Sequence, residues 1–485
     1  MKSRNRMLLC MALMVVPLCS RAVAPNILFV LVDDQRFDAL GCAGHPQIKT
    51  PNIDRLAEQG VRFENAFVST PICMASRSCL FTGMTERSHG YTGGSRTRII
   101  PKDIDTGFAT LLRKSGYRTG FFGKQHAGFQ EGEKTAMSRM FDDWKKLMRK
   151  PYFKTMPDGS KRHVAELIGD RSVDFLKKQP KNKPFCLYMS FNIAHAEDKD
   201  RRPGIGHYPW PKEENGLYED ITPLRPALSK EKYFPAAPEF LQDSLNEIRY
   251  RWRWDTPEKY NTNMRAYYRM VTGMDRIVGR VLKQLEEMGV ADNTIVIYSA
   301  DNGYYMGDRG FAGKWSHFDQ SLHVPLIVYD PRLPKNLTGR VVPELVSSID
   351  ISATILDAAG VDVPEKYQGR PLQPLLNGNM PNGWRTDVYC EHHMDHNDIP
   401  KWYGVRGTRF MYANYYEEGV ELLYDLEKDP TELTNIANNP EAQEVLQNMR
   451  ARSEEYVKEY TRPEIVKLKK EAAKKKRARR KEKSK

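Results

Sequence analysis

Two acidic pairs at the ends of apolar runs are the first chemistry that the 485 residues offer. Asp33-Asp34 end the run Asn26–Val32, and Asp301-Asn302 end the run Thr294–Ser299. Their side chains carry hard oxygen donors of the kind Ca²⁺ or Mg²⁺ prefers. The same residue types also suit solvated turns and caps, so the pairs alone leave both readings open. Cys73 and Arg77 are four residues apart. On a helix they share a face, and at a helix N-terminus they would face an anion. His195 follows another apolar run, Phe185–Phe191. Its imidazole, with an ordinary pKa of about 6.5, can give or take a proton near neutrality. A lone histidine at a strand end is more often structural.

Four continuous apolar runs, 26–32, 185–191, 294–299 and 324–329, read as strands of a sheet covered on both faces. Helical periods lie between them at Asn52–Gln59, Thr106–Lys114, Ile168–Lys178 and Met264–Met288. Alternation of this kind predicts an α/β sandwich with a mainly parallel sheet. Ligands of such sheets sit beyond the carboxyl ends of the strands, where the acidic pairs and His195 fall. Residues 199–262 read as a long insertion rich in Pro, Trp, Tyr and charge, with little regular period. After about residue 370, short β-like pieces (Asp387–Cys390, Arg409–Asn414) and a terminal helix near Pro440–Thr461 predict a smaller α+β subdomain over 371–460. The catalytic unit then spans 25–370.

The net charge of +13 belongs to the termini. Residues 1–24 carry +4 and residues 461–485 carry +10, so the body is close to neutral. The basic tail 461–485 reads as a solvated, frayed helix; nucleic acid, an anionic membrane or a polyanionic glycan are its alternative partners. No specific nucleic-acid interaction is expected. Basic residues, the apolar stretch Met7–Leu18 and small residues after it read as an export signal over 1–24, cut after Ala22, with no transmembrane segment once it is removed. That places the mature chain in the periplasm or outside the cell. Cys42, Cys73, Cys79, Cys186 and Cys390 remain, without the spacing of a disulfide framework or a zinc site.

The stretch Cys73-Met-Ala-Ser-Arg77-Ser-Cys-Leu80-Phe-Thr-Gly83 resembles the signature of the formylglycine-dependent type I sulfatases of the alkaline phosphatase superfamily. The resemblance continues through Thr50–Ala57, the stretch Gly116 to His126, Asp301-Asn302-Gly303 and Leu423–Pro430, all in family order, and covers roughly 26–435. It implies an alkaline-phosphatase-like sandwich with a large mixed, mainly parallel sheet between helices. It implies that Cys73 is oxidised to formylglycine by a maturation enzyme of the host. A hydrated aldehyde has two hydroxyls: one attacks sulfur and displaces the alcohol, and loss of the other's proton expels sulfate and restores the aldehyde. The resemblance puts a divalent cation, Ca²⁺ first and Mg²⁺ as the alternative, on Asp33, Asp34, converted Cys73, Asp301 and Asn302. It makes Lys124 and Lys314 the sulfate-binding lysines, His126 the base for the second hydroxyl, and His195 the group that contacts sulfate and protonates the leaving oxygen; Arg77 completes the site.

Three positions depart from the family pattern: Gln125 where Trp is common, Gly307-Asp308-Arg309-Gly310 where many members read Gly-Glu-His-Gly, and His323 where many have Arg. The expected reaction is hydrolysis of a sulfuric ester of a carbohydrate. The alternatives are a phosphonate or phosphate ester hydrolase on the same scaffold and a non-catalytic protein that binds sulfated glycans. Candidate sugar or polyanion contacts are Lys199, Arg201, Arg202, His207, Trp210, His317 and His323. His392, His393 and His396 read as an exposed His-rich loop, with a transition-metal site or a substrate contact as the alternatives.

Overall fold

The computed structural model describes residues 24–93, 97–198 and 207–483, with side chains as far as residue 474. The proposed export signal, apart from Ala24, lies outside the described residues. Eight strands form one sheet: β1 (Asn26–Val32), β2 (Val61–Phe67), β3 (Arg118–Gly123), β4 (Asp143–Lys146), β7 (Phe185–Ser190), β8 (Thr294–Ala300), β9 (Leu326–Tyr329) and β10 (Arg340–Ser347). A small hairpin, β5 (Phe153–Thr155) and β6 (Lys161–His163), stands apart. The sheet order is β10-β2-β9-β8-β1-β7-β3-β4. Only β9 runs against the rest, because it pairs antiparallel with both β2 and β8. The central strands β1, β7 and β8 are buried along their whole length, as their unbroken apolar sequences require.

Consecutive residues of β3 show the sandwich. A Cβ on Gly120 would meet Phe175 of the helix Val164–Lys177 at 2.8 Å. The next residue, Phe121, turns the other way and packs its ring against Phe81 of the helix Cys73–Thr82, with centroids 6.0 Å apart. Alternation along a strand therefore assigns these two helices to opposite faces. Glycine at 120 lets the Val164–Lys177 helix approach closely. The helix expected at 264–288 runs from Pro257 to Glu287, capped by the Thr256 side chain on the Lys259 N–H at 3.2 Å. The helix expected over 106–114 is Phe108–Lys114, preceded across Thr106-Gly107 by a separate short helix, Pro101–Asp105.

Two expectations are corrected here. From residue 207 onward the stretch read as irregular carries short helices, of which Leu245–Arg253 is the longest. The basic tail is a helix, Pro463–Lys483, whose root is docked and not frayed. Ile465 is buried, and Arg462 donates to Asp103 at 2.9 Å and to the Ser88 carbonyl at 3.2 Å.

A second, antiparallel sheet, β11 (Asp387–His392), β12 (Trp402–Gly407), β13 (Phe410–Tyr415) and β14 (Val420–Asp425), carries the helix Gln443–Tyr460. It is fastened to the body beside the helix Cys73–Thr82. The Glu391 N–H donates to the Ser69 carbonyl at 2.9 Å, and the Trp402 indole donates to the Trp315 carbonyl at 2.7 Å. Among the described residues no helix is long and apolar enough to cross a membrane.

Strand β11 also overturns the reading of the histidine cluster. His392 is its last residue, fully buried, with neither ring nitrogen hydrogen-bonded among the described residues. His393, just past the strand, pairs with Glu391 at 2.8 Å, and of the three only His396 is exposed. Strand alternation sends His392 and its neighbours to opposite sides, so the three do not converge. Burial, then the charge of His393, holds the His392 pKa down at about 3. Unfolded, this imidazole takes up a proton at about pH 6.5. Its contribution to stability is therefore complete above that pH and is lost as the pH falls toward the folded value. Thermal unfolding midpoints should fall on acidification from pH 6.5 to 4, and His392→Leu should flatten part of that slope; an unchanged slope in the variant would exclude His392 as a source.

Candidate active site

The parallel strands end together, and the residues that follow them meet. Asp33-Asp34 follow β1, Lys124 follows β3, His195 lies in the turn after β7, and Asp301-Asn302 follow β8. Cys73 opens the helix Cys73–Thr82, after extended Ile72, so the unpaired N–H groups of a helix start surround it. Its Sγ lies 3.3 Å from His126 Nδ1. Arg77, one turn later, is fully buried and joins three strand ends. It donates to Asp301 Oδ2 at 2.7 Å and to the carbonyls of Lys124 and Phe191, each at 3.1 Å, and also to Ser190 Oγ. Its guanidinium therefore holds Asp301 and the β3 and β7 ends in place.

Three buried carboxylates face three buried cations. Lys124 pairs with Asp33, Lys314 with Asp34, and Arg77 with Asp301. One oxygen or sulfur atom from each of Asp33, Cys73 and Asp301 converges within 4.8 Å, and a second group joins Asp33, Asp34 and His195. Asn302 donates to Asp34 Oδ1 at 2.8 Å, which turns its own carbonyl oxygen free. Asp33 Oδ1 and Asn302 Oδ1 are buried without a hydrogen-bond partner among the described residues. Unsatisfied hard oxygens at the meeting point of three carboxylates fit a Ca²⁺- or Mg²⁺-class ion.

Electrostatics keep both histidines neutral. Burial, and then Lys124, hold His126 well below its ordinary value. Burial, and then Arg149, Lys314 and Lys124, do the same for His195. The Ala196 carbonyl, 2.7 Å from His195 Nδ1, can only accept, so it fixes the proton there and leaves Nε2 facing Asp34 Oδ2 at 3.8 Å. Burial disfavours the Lys314 charge, but Asp34, Cys73, Asp33 and Asp301 together raise its pKa above the lysine norm. Burial raises Asp301 despite Arg77.

Lys314 owes its position to the helix Leu245–Arg253. Asn246 donates to the Lys314 carbonyl at 2.7 Å and accepts the Ala312 N–H at 2.9 Å. Gly313 between them has φ +122, and a Cβ there would meet Asn246 Oδ1 at 2.7 Å. The family departures fall on supporting positions. Asp308 pairs with Arg36, while Arg309 lies 3.9 Å over the Phe318 ring and donates to the Thr431 and Glu432 carbonyls.

Of the candidate substrate contacts, Lys199, Arg201 and Arg202 lie outside the described residues. His317 is buried against Tyr415, 2.9 Å from its hydroxyl. His323 stacks on Phe37 at 3.8 Å and bonds the Glu64 carbonyl at 2.6 Å. His207 is buried with its N–H on Asn263 Oδ1, and Trp210 lies under Arg269. These four have packing roles. The sequence reading missed Arg149, Asp198 and Arg249, which stand beside His195 and Lys314. They come from three separate segments with no common spacing, so no motif could have grouped them.

A parallel α/β sandwich with an anion site and a buried oxygen cluster beyond its strand ends defines a hydrolase of the alkaline phosphatase superfamily. The sulfatase family model matches residues 25–361, and a model described as N-sulphoglucosamine sulphohydrolase, C-terminal, matches 307–459. The chain belongs to the sulfatase family. It is 28% identical to an N-acetylglucosamine-6-O-sulfatase of Bacteroides thetaiotaomicron, over 90% of this chain and 87% of the relative. A solved structure of a protein in complex with its substrate D-glucosamine-2-N,6-O-disulfate superposes with a TM-score of 0.77 at 25% identity, covering 90% of this chain and 98% of that one. The phosphonate monoester hydrolase of Agrobacterium radiobacter shares the fold, with a TM-score of 0.68 at 22% identity over 90% of this chain and 96% of its own.

Proposed function

We propose that this sulfatase removes a sulfate group from a sulfated carbohydrate, with Cys73, converted to formylglycine, as its nucleophile. The observation that carries the reading is Cys73 Sγ at 3.3 Å from His126 Nδ1, at a helix start flanked by Lys124, Lys314 and three buried carboxylates. The N-acetylglucosamine-6-O-sulfatase relative supports a sulfated sugar. Converted Cys73 supplies a hydrated aldehyde, one hydroxyl of which attacks sulfur while the other allows sulfate to be expelled. Asp33, Asp34, Asp301 and Asn302, with converted Cys73, would hold the cation, Ca²⁺ or else Mg²⁺, which when bound screens the sulfate oxygens and acidifies the diol.

The chain's own groups do the rest. Lys124 and Lys314 neutralise charge on the sulfate oxygens. His126, kept neutral, accepts a proton from the residue-73 diol. His195 Nε2 faces the site and carries the proton to the leaving oxygen; an anionic ester offsets the nearby cations and favours that protonation. Two lysines and two histidines around the nucleophile favour sulfate over a phosphonate ester. In the same reading, residues 1–24 direct export to the periplasm or beyond, a host enzyme oxidises Cys73, 25–370 is the catalytic unit, 371–460 a subdomain and 461–485 a basic tail.

The direct test is the mass of the Cys73 peptide from protein made in its native host, together with sulfate release. The expected result is replacement of the CH₂–SH group by an aldehyde and hydrolysis of a sulfate ester faster than of a phosphonate ester. An unmodified thiol in active protein would overturn the nucleophile, and faster phosphonate hydrolysis would overturn the substrate class. Metal dependence has a second readout. Adding Ca²⁺ to chelator-stripped protein at a hundredfold excess over its Kd should stabilise the fold by about 2.7 kcal/mol. Asp33→Asn with Asp301→Asn should abolish that shift; no shift in the wild type with either Ca²⁺ or Mg²⁺ would remove the cation from the reading.

A further inference from the structure

Beside the sulfate site stands a surplus of positive charge that a single sulfate group does not use. Arg149 Nε and His195 Nδ1 meet at the same acceptor, the Ala196 carbonyl oxygen, at 3.4 and 2.7 Å. Arg249 donates to Asp198 Oδ2 at 2.9 Å, and its guanidinium lies 4.8 Å over the ring of Trp315, the residue after Lys314. Arg149 reaches the same Asp198 oxygen at 4.0 Å. Arg253, fully buried, takes the other Asp198 oxygen and donates to Tyr304 Oη at 3.1 Å. Among the described residues Asp198 is the one carboxylate within 4.0 Å of these three guanidinium groups, none of which loses its charge at physiological pH. Arg149 and Arg249 are mostly withdrawn from water, with side chains 10% and 13% exposed. Arg249 Nε is buried and has no hydrogen-bond partner among the described residues.

Uncompensated, partly buried positive charge and an unmade charge-assisted hydrogen bond are both costly, and an anion relieves both. The anion of the reacting ester is met by Lys124 and Lys314. The arginines lie on the His195 side, where the leaving alcohol is released. We propose that Arg149 and Arg249 form a subsite for a second anionic group, a sulfate or a carboxylate, on the alcohol portion of the substrate. Asp198 spaces the two guanidinium groups, and Arg253 anchors Asp198. The preferred substrate is then a saccharide bearing two anionic groups. This inference rests on the sulfate-ester reading above.

The test uses fully converted enzyme and three aryl sulfates that need no knowledge of the sugar: phenyl sulfate, carboxyphenyl sulfate and sulfophenyl sulfate. The expected result is a kcat/KM advantage of about thirtyfold for a ring with a second anion, expressed in KM, which is the scale of one or two charge-assisted hydrogen bonds. The favoured ring tells a carboxylate from a sulfate. Arg249→Gln and Arg149→Gln should each erase most of the advantage, and Arg249→Lys, which keeps the charge but not the fork, should retain part of it. Equal kcat/KM for all three esters, or an advantage unchanged in both glutamine variants, would overturn the subsite. No turnover of any of the three by converted enzyme would instead overturn the parent reading.

Discussion

Cys73→Ala stops sulfate release: turnover falls by about 10⁵-fold or more, the scale seen when a covalent nucleophile is removed. Alanine keeps the helix start and leaves Arg77, both lysines and both histidines in place, so the loss is chemical. The side chain is small and 5% exposed, and unfolding should move by no more than about 1 kcal/mol. Cys73→Ser separates the aldehyde mechanism from simple nucleophilic attack. A serine hydroxyl has one oxygen, so after attacking sulfur and releasing the alcohol it holds the sulfate with no second hydroxyl to expel it. The expected result is no steady-state turnover and, at most, one equivalent of alcohol with one SO₃ added to residue 73. Sustained turnover by the serine variant would exclude the diol.

Arg77→Met carries the second large effect, and it falls on stability and activity together. The guanidinium and Asp301 are both fully buried. Removing one partner strands the other in a medium that does not solvate it, at a cost of about 3–5 kcal/mol. The carbonyls of Lys124 and Phe191 each lose the guanidinium donor as well, though Ser190 Oγ still donates to the Lys124 carbonyl at 2.8 Å. Chemical denaturation should show the loss, and Asp301→Asn in the same chain should recover part of it, because the stranded charge is gone. Arg77→Lys keeps the charge without the fork and should fall between. Equal stability of Arg77→Met and wild type would show that the pair is not holding the strand ends.

Strands β1, β7 and β8 were legible because burial on both faces demands unbroken apolar runs, and they have them. The run at 324–329 was legible as a strand, but not its direction, since an apolar run reads the same either way; its strand begins at Leu326 and runs antiparallel. β4, Asp-Trp-Lys-Lys, is an edge strand whose charge hid it. In β3 the glycines that admit neighbouring elements dilute the strand signal. Asp33, Asp34, Asp301 and Asn302 were legible as strand-end residues, because the end of a strand is a place in the sequence as well as in space; their role as cation ligands is a proposal. Lys124, His126 and Lys314 came from the family pattern. Arg149 lies in a loop and Arg249 on the helix Leu245–Arg253; they meet through Asp198, a relation that exists in three dimensions alone. His392 misled because its histidine neighbours read as a polar loop, whereas β11 carries it into the core.

The burial of Cys73 sets a clock. Its helix start is closed over by residues that the ribosome makes later: Lys124 and His126, then the β8 end with Asp301, and Lys314 last. In the formylglycine reading proposed above, the enzyme that oxidises the thiol needs the segment within reach, which is the condition of the chain before those pieces arrive. In that reading oxidation and folding run in competition. A molecule that folds first would keep the buried thiol and lack the proposed nucleophile. The converted fraction of a preparation would then be set at synthesis, by how long residues 73–83 wait for the rest of the chain.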